Sequence, residues 1–201
     1  MHYLLISQLI LFLLSGWFPT GSEKDFLSKV VTVVIEQGSE LEINGSTNVN
    51  TFSCHYKGKI GQDTMNVRFT QVEQGTLHLE HARLTVDIAG FDCGNPMMNK
   101  DFRGLLEYRQ HPHLYLNIIR LKLSEATPGT ALASVRFTIA GEEETYDVPV
   151  SINTRAEPDT YSGKKSLDIT DFDITPPRKF LGMVIVDKDV SIDFSLNLKL
   201  I

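Results

Sequence analysis

The chain has 201 residues, with 25 acidic against 19 basic side chains and a formal net charge of −6. A negative chain without an arginine-rich run is poorly suited to nucleic acid or to an anionic membrane surface as its main partner. Its length and its 42% of hydrophobic residues suit one globular domain with a sizeable core.

The amino-terminal segment is apolar. Residues from Tyr3 to Leu14 form a nearly unbroken apolar run, and the first charged residue is Glu23. This pattern predicts a secretory signal peptide at residues 1–21, followed by one domain at 22–201. The run is shorter than the roughly 18 apolar residues that an anchoring helix needs. We therefore expect an exported protein, periplasmic or extracellular, without stable membrane insertion after cleavage.

Apolar residues at every second position predict strands along most of the remaining chain. In the first half, the predicted strands are 29–36, 40–44, 51–56, 64–72 and 75–91. The last of these changes phase, because Leu77 and Leu79 occupy odd positions while Leu84 and Val86 occupy even ones. A bulge or a sharp bend is therefore expected near His81.

A helical pattern interrupts the strands between Asn95 and Tyr108. Met98 and Phe102 fall close to one helical face, and Asn95 followed by a proline is a typical helix start. A lone amphipathic helix of this kind either covers the open end of a barrel as a ligand lid or completes the core, and both interpretations stay open.

Strand signals resume at Leu114 and continue to the carboxyl terminus. A phase change within 114–123 predicts a second bulge, and the clearest hairpin pairs 133–139 with 146–152 around a turn at Gly141 to Glu144. Residues 154–165 are predicted as a loop, 167–174 as a strand and 188–200 as the last strand. Such a sheet with one apolar face either stacks on a second sheet or curls into a barrel, and a barrel of about eight strands can hold one apolar ligand.

Cys54 and Cys93 are the only cysteines in the chain. In a reducing compartment, two isolated cysteines are usually small buried residues, whereas in an exported protein they can form a disulfide. The expected export favours a disulfide that joins two distant parts of the sheet.

No arrangement of side chains indicates catalysis or metal binding. His111 and His113 would share one face of a strand, but the proline between them favours a surface position over a metal site. The chain lacks a GxSxG elbow and a glycine-rich phosphate loop. Asp168, Asp171 and Asp173 have the spacing of a solvated edge. We expect a protein that is not an enzyme and that needs no cofactor or metal.

Four stretches, taken in order, carry a family resemblance. They are Leu41 to Asn50 with the following Phe52 and Cys54, the helix and its exit from Met98 to Pro112, the hairpin with Gly141, and Phe172 to Pro177 leading through Leu181 and Gly182 to Ile192. Together they resemble the YceI-like family of exported lipid- or polyisoprenoid-binding proteins. The resemblance implies an all-β fold, an elongated antiparallel lipocalin-like β-barrel of about eight strands with one short helix near an open end. It also implies that the bore holds an isoprenoid or acyl-chain lipid without covalent chemistry.

Candidate ligand-binding residues are taken from the apolar faces of the strands and of the helix. They are Val135, Phe137, Ile139, Tyr146, Val148, Val150, Ile192, Phe194, Leu196, Met98 and Phe102. Burying an extended chain among such residues stabilises a complex by about 0.8 kcal/mol per methylene. For each residue, ordinary core packing is the alternative.

Two other classes of protein stay open at this stage, as does a homodimer. One is an exported structural or adhesion module whose interior is filled by its own side chains. The other is a membrane-embedded barrel, whose strands alternate in the same way. The phase changes and the lack of tryptophan after residue 17 argue against a membrane-embedded barrel.

Overall fold

A computed structural model describes residues 28–60, 64–73, 75–155 and 157–201. The predicted signal peptide at 1–21 lies outside the described residues. The one α-helix in the described part, α1, spans Pro96–Leu105. The strands are β1 Ser28–Ile35, β2 Glu40–Ser46, β3 Thr51–Tyr56, β4 Met65–Glu73, β5 Thr76–Glu80, β6 Arg83–Asp87, β7 Phe91–Asp92, β8 His113–Leu123, β9 Thr130–Ile139, β10 Glu142–Asn153, β11 Asp159–Asp168, β12 Arg178–Lys179, β13 Val184–Ile185 and β14 Asp189–Leu200.

Eight strands form a closed hydrogen-bonded ring. The order runs β1-β4-β5-β8-β9-β10-β11-β14, and β14 pairs again with β1, so the sheet returns to its first strand. Every pairing in the ring is antiparallel. The all-β barrel of about eight strands predicted from the sequence is confirmed.

The strand β14 holds the ring to a smaller side sheet. One edge of β14 pairs with β11 along its length, from Asp189 to Leu198. The other edge is shared, because β2 pairs with Ser191 to Ser195 and β1 pairs with Leu198 to Leu200. From β2 the sheet continues outside the ring through β3 to β7. The first two strands therefore lie end to end along one neighbour, with the turn at residues 36–39 between them.

Both phase changes of the sequence are bends in the structure. The first separates β5 from β6 at His81, which has a positive φ of 63°. Both strands pair with β8, so they form one long bent strand. The second is a shift in the β8–β9 register between Ile118 and Arg120. Each bend keeps the apolar residues of a long strand pointing inward while the wall of the barrel curves.

Three local predictions are wrong. The β9–β10 turn is shorter than expected and consists of Ala140 and Gly141, both with positive φ, so Glu142 already pairs with Ile139. The predicted loop at 154–165 contains most of β11, which is held by its ladder with β14. The predicted strand at 167–174 is mostly a 3₁₀ helix at Ile169–Phe172, which is capped by the Asp168 side chain.

The helix α1 lies at the end of the barrel where β8 begins. Asn95 caps it by accepting a hydrogen bond from the Met98 N–H at 2.8 Å, and a proline follows at the first helical position. Phe102 on α1 packs against Phe91, with ring centroids 5.3 Å apart. We call this the helix end of the barrel, and it also carries the β2–β3 and β9–β10 turns. No helix in the described ranges is long and apolar enough to span a bilayer.

The disulfide joins Cys54 on β3 to Cys93 directly after β7. Cys54 is fully buried, and no free cysteine occurs among the described residues. The bond closes a loop with a sequence separation of 39. Because β3 and β7 are paired neighbours, the bond cross-links adjacent strands of the side sheet, and the prediction that it joins two distant parts of the sheet is wrong.

Reduction of this disulfide should lower the free energy of unfolding by about 4 kcal/mol, because a loop of this length constrains the unfolded chain. Chemical denaturation of the oxidised and the reduced protein measures the difference. A Cys54→Ala/Cys93→Ala variant should match the reduced protein and should not respond to reductant. Equal stability with and without reductant would mean that the bond contributes nothing to the fold.

Candidate functional site in the barrel interior

The interior contains a narrow apolar cavity in its helix-end half. Its volume is about 20 Å³. The lining residues are Leu41, Ile43, Val86, Phe91, Leu114, Tyr115, Leu116, Phe137, Ile139 and Ile192. About one water molecule fits into such a space, whereas pockets for small ligands typically measure about 300–1,000 Å³. The protein's own side chains thus fill most of the bore.

Packing is uneven around the ring. On β9, the inward residues Ala133, Val135 and Phe137 are all buried. On β8 and β14, which stand opposite each other in the ring, most inward apolar residues are only half-buried. These residues are Leu116, Ile118 and Leu121 on β8 and Val190, Ile192, Phe194, Leu196 and Leu198 on β14. Two loosely packed apolar walls therefore face each other across the interior.

The predicted ligand-binding residues are divided between the core, the cavity and the helix end. Val135, Phe137, Val148 and Val150 belong to the buried core. Phe137, Ile139 and Ile192 line the cavity. The remaining ones are half-buried against the core, and none of them is in the cavity lining; they are Tyr146, Phe194, Leu196, Met98 and Phe102. Their role in ligand binding stays a prediction.

Seven cavity-lining residues were not predicted from the sequence. They come from β2, β6, β8 and the start of β7, and they are Leu41, Ile43, Val86, Phe91, Leu114, Tyr115 and Leu116. The alternation in these strands placed most of them on an apolar face. What the alternation did not indicate was that these strands approach β9 and β14, since that proximity depends on the strand order of the ring.

Glycines let two aromatic rings lie flat against the wall. A Cβ atom at Gly163 on β11 would lie 2.7 Å from the Cζ atom of Phe194 and 2.4 Å from the carbonyl oxygen of Pro149. A Cβ atom at Gly45 would lie 2.4 Å from the Cζ atom of Phe52. Each ring thus covers a backbone site where any side chain would displace it. The Phe194 ring therefore packs directly over the β11 backbone at Gly163.

The seam between β10 and β11 lacks ladder pairs over most of its length. Ladder pairs join these strands only from Ser151 to Asn153, whereas β9 and β10 are paired along ten positions. The 3₁₀ helix at Ile169–Phe172 packs beside the unpaired part, where Tyr146 donates a hydrogen bond to the Asp171 carboxylate and stacks on Phe172. Tyr146 therefore fastens the 3₁₀ helix to the barrel wall.

Two titratable side chains at this seam, Tyr146 and Asp168, have shifted pKa values that fix their protonation state at neutral pH. Burial and the hydrogen bond to Asp171 raise the pKa of Tyr146 to about 12, and Lys165 lies with its ammonium 5.1 Å from the Tyr146 ring centroid. Hydrogen bonds from Lys188 and Thr170 lower the pKa of the Asp168 carboxyl to about 2. A neutral tyrosine and an ionised aspartate are thus the forms that brace the seam at neutral pH.

Other surfaces of the described chain offer less for ligand chemistry. No group of three or more histidine, cysteine, aspartate or glutamate side chains in the described part could hold a metal ion. A wider depression of about 630 Å³ lies between residues 34–39 and 58–60, but it is open and lined by both polar and apolar groups. The barrel interior is therefore the candidate site.

These features define a lipocalin-like antiparallel barrel with an apolar interior. The chain matches the model of the YceI-like domain family over residues 32–198, and it belongs to this family. A search of curated proteins finds no match.

Three solved structures share the fold. The crystal structure of BcnA from Burkholderia cenocepacia is 23% identical with a TM-score of 0.60, covering 80% of this chain and 96% of that chain. A polyisoprenoid-binding domain from Saccharophagus degradans, implicated in plant cell wall breakdown, is 12% identical with a TM-score of 0.57, covering 84% and 97%. The YceI protein of Campylobacter jejuni is 12% identical with a TM-score of 0.52, covering 73% and 85%.

Gly163→Ala should destabilise the fold by at least about 1 kcal/mol, because the new methyl group collides with backbone at Pro149 and with the Phe194 ring. Thermal or urea unfolding measures the change. Gly104→Ala is the matched control, since a Cβ atom there meets nothing within 4 Å and α1 should gain stability from alanine. If both variants were equally stable, the flat packing of Phe194 would not depend on Gly163.

Raising the pH should weaken the fold through Tyr146. Its pKa in the folded protein is about 12 against an ordinary value of 10.0, so the neutral side chain stabilises the fold fully below pH 10. This contribution is lost as the pH rises from 10 to about 12. Urea unfolding across that range should show a steeper loss of stability for the wild type than for Tyr146→Phe. Parallel pH profiles would show that Tyr146 does not fasten the seam.

Proposed function

We propose that this protein binds and carries a long apolar chain, isoprenoid or fatty-acyl, in the interior of its barrel. Binding is non-covalent and involves no catalysis. The protein works in an exported compartment, periplasmic or extracellular, and its partner is a lipid rather than nucleic acid.

One observation carries this proposal. The apolar inward residues of β8 and β14 face each other and stay half-buried, although they belong to a closed ring whose β9 wall is packed tightly. Half-buried leucine, isoleucine and phenylalanine side chains gain little from their present contacts and gain more when an apolar chain covers them. A site of this kind selects for hydrocarbon and needs few polar contacts.

The narrow cavity fixes how such a chain would enter. Because a space of about 20 Å³ does not admit a lipid, the half-buried side chains must move apart as the ligand binds. Binding therefore remodels the interior rather than filling a preformed tunnel. The β10–β11 seam gives the ring room for this change, since most of that seam has no ladder to break.

Two further observations support the proposal. The Saccharophagus degradans domain, whose fold is similar, is described as polyisoprenoid-binding. The disulfide between Cys54 and Cys93 suits an oxidising compartment, as the expected export requires.

The small cavity itself favours a second candidate function. If the interior were filled permanently, the barrel would serve as an exported structural or adhesion module with no ligand. Such a module would keep its side chains in place when offered a lipid, so the two functions differ in a measurable way.

Detergent-free purification followed by organic extraction and mass spectrometry is the first test. We expect about one lipid per chain, or stoichiometric uptake of a fluorescent fatty acid or prenyl probe by the delipidated protein. A closed interior excludes such a probe. Absence of both lipid and uptake would leave the architectural module as the function.

Ile192→Trp tests the position of the ligand. The larger side chain would occupy the slot between β14 and β8, so probe uptake should fall at least about tenfold while the fold is retained. Ser195→Trp, three positions along the same strand on its outward face, is the matched control and should bind as the wild type does. Unchanged uptake by a folded Ile192→Trp protein would place the ligand elsewhere.

A further inference from the structure

Five large apolar side chains protrude around the helix end of the barrel. We call them the apolar rim: Val49, Met97, Leu181, Met183 and Ile185. Their exposed fractions are 67%, 75%, 104%, 70% and 40% in that order. Exposed large apolar side chains grouped at one end of a protein indicate an interaction site.

Hydrogen bonds and an ion pair hold the rim together. The Asn48 side chain donates to the carbonyl oxygen of Met183 at 3.0 Å and accepts from the Ile185 N–H at 2.9 Å. These bonds fasten the small β12–β13 hairpin to the turn that carries Val49. Lys179 on the hairpin also lies 3.0 Å from the Asp101 carboxylate of α1.

Met97 joins the same surface through the helix. It lies one helical turn before Asp101 and therefore shares its face of α1. The Asn48 hydrogen bonds and the Lys179–Asp101 ion pair thus link the three segments that carry the rim: the β2–β3 turn, the hairpin and the helix.

The Leu181 side chain does not pack against the described part of the chain. Leu181 lies at the tip of the hairpin with a positive φ of 57°, a region that bulky residues rarely adopt, and its side chain is fully exposed. Asparagine or glycine would fit this backbone better. A protruding leucine in a strained turn gains nothing until something apolar surrounds it.

The shape of the rim favours a lipid bilayer over a protein. The side chains stand out singly instead of forming a pocket, and a fluid hydrocarbon phase accepts protruding groups without needing a complementary shape. Two of the basic side chains beside the rim form ion pairs, Lys179 with Asp101 and Lys188 with Asp168, and Arg178 on the hairpin and Lys100 on α1 are exposed nearby. The protruding apolar side chains supply the insertion among apolar chains, and binding at high ionic strength separates it from attraction between these cations and headgroups.

The rim also lies at the end where the cavity is. Ile139 lies at the end of β9 and Ile192 near the start of β14, both toward the helix end, and both line the cavity. We propose that the apolar rim docks the helix end of the barrel onto a zwitterionic bilayer, from which the apolar chain passes into the interior. The transfer of the apolar chain rests on the proposed function, whereas the binding of the rim to a bilayer does not depend on it.

Co-sedimentation of the full chain with phosphatidylcholine vesicles tests the inference. The wild type should bind, and binding should persist at an ionic strength of about 1 M, where charges beyond ~3 Å are screened. Leu181→Asn/Met183→Asn should lower the partition coefficient at least about tenfold. Because Leu181 is fully exposed and asparagine tolerates positive φ, the variant should fold.

Leu200→Asn is the matched control. Leu200 is 49% exposed at the opposite end of the barrel, so the same substitution there should leave vesicle binding unchanged. Both variants should take up a fluorescent fatty acid in vesicle-free solution as the wild type does. Equal losses of vesicle binding in the two variants would overturn a specific role for the rim.

The remaining outcomes separate the inference from the proposed function. Wild-type protein that takes up the probe but never sediments with vesicles would overturn membrane docking and leave lipid binding intact. Rim-dependent sedimentation without probe uptake would support docking and contradict the proposed lipid carrier. The wild type could also form a dimer in vesicle-free solution that the Leu181→Asn/Met183→Asn variant does not form. That result would make the rim a contact between two copies and would also overturn docking.

Discussion

Closure of the sheet through β14 is the constraint on which the rest of the fold depends. An antiparallel sheet with one apolar face must remove that face from water, and the ring does so only while β14 pairs with β11 on one edge and with β1 and β2 on the other. The β1–β14 contact is short, from Val33 to Ile35, yet it converts an open sheet into an enclosure. Without it, the last part of β14, from Leu198 to Leu200, would lie at an exposed edge.

The interior combines a rigid part with an adaptable one. The inward residues of β9 and the middle of β10 are buried to the extent expected of a permanent core, which gives the barrel its stability. Most inward apolar residues of β8 and β14 are only half-buried. This division matches the proposed function, in which the tight wall keeps the fold and the looser walls contact the apolar chain.

Much of this architecture could be predicted from the sequence, because period-two burial is directly visible there. Most strand positions and both bends were indicated by apolar spacing, and the helix between Asn95 and Tyr108 by apolar spacing together with the proline after Asn95. The strand β11 was not, because its sequence from Asp159 to Asp168 is rich in serine, glycine and lysine and has weak strand propensity. Its conformation is imposed by the ladder with β14, which is a tertiary effect.

The site was harder to predict than the fold. Alternation indicates which side chains point inward, but the cavity depends on which strands meet across the interior and on how completely they pack. The 3₁₀ helix could not be predicted for a similar reason. The spacing of Ile169 and Phe172 fits one helical turn, but this conformation depends on packing beside Tyr146, which the sequence does not show. The apolar rim could not be predicted from the sequence, because single exposed apolar residues have no periodic pattern.

The position of the disulfide has a mechanical consequence for the barrel. The bond ties β3 to the segment after β7, and both lie outside the eight-strand ring. The circumference of the ring is therefore determined by hydrogen bonds and van der Waals contacts alone, within the part of the chain described. The ring can therefore adjust without straining a covalent bond, while the disulfide holds β3 and β7 of the side sheet together at the helix end.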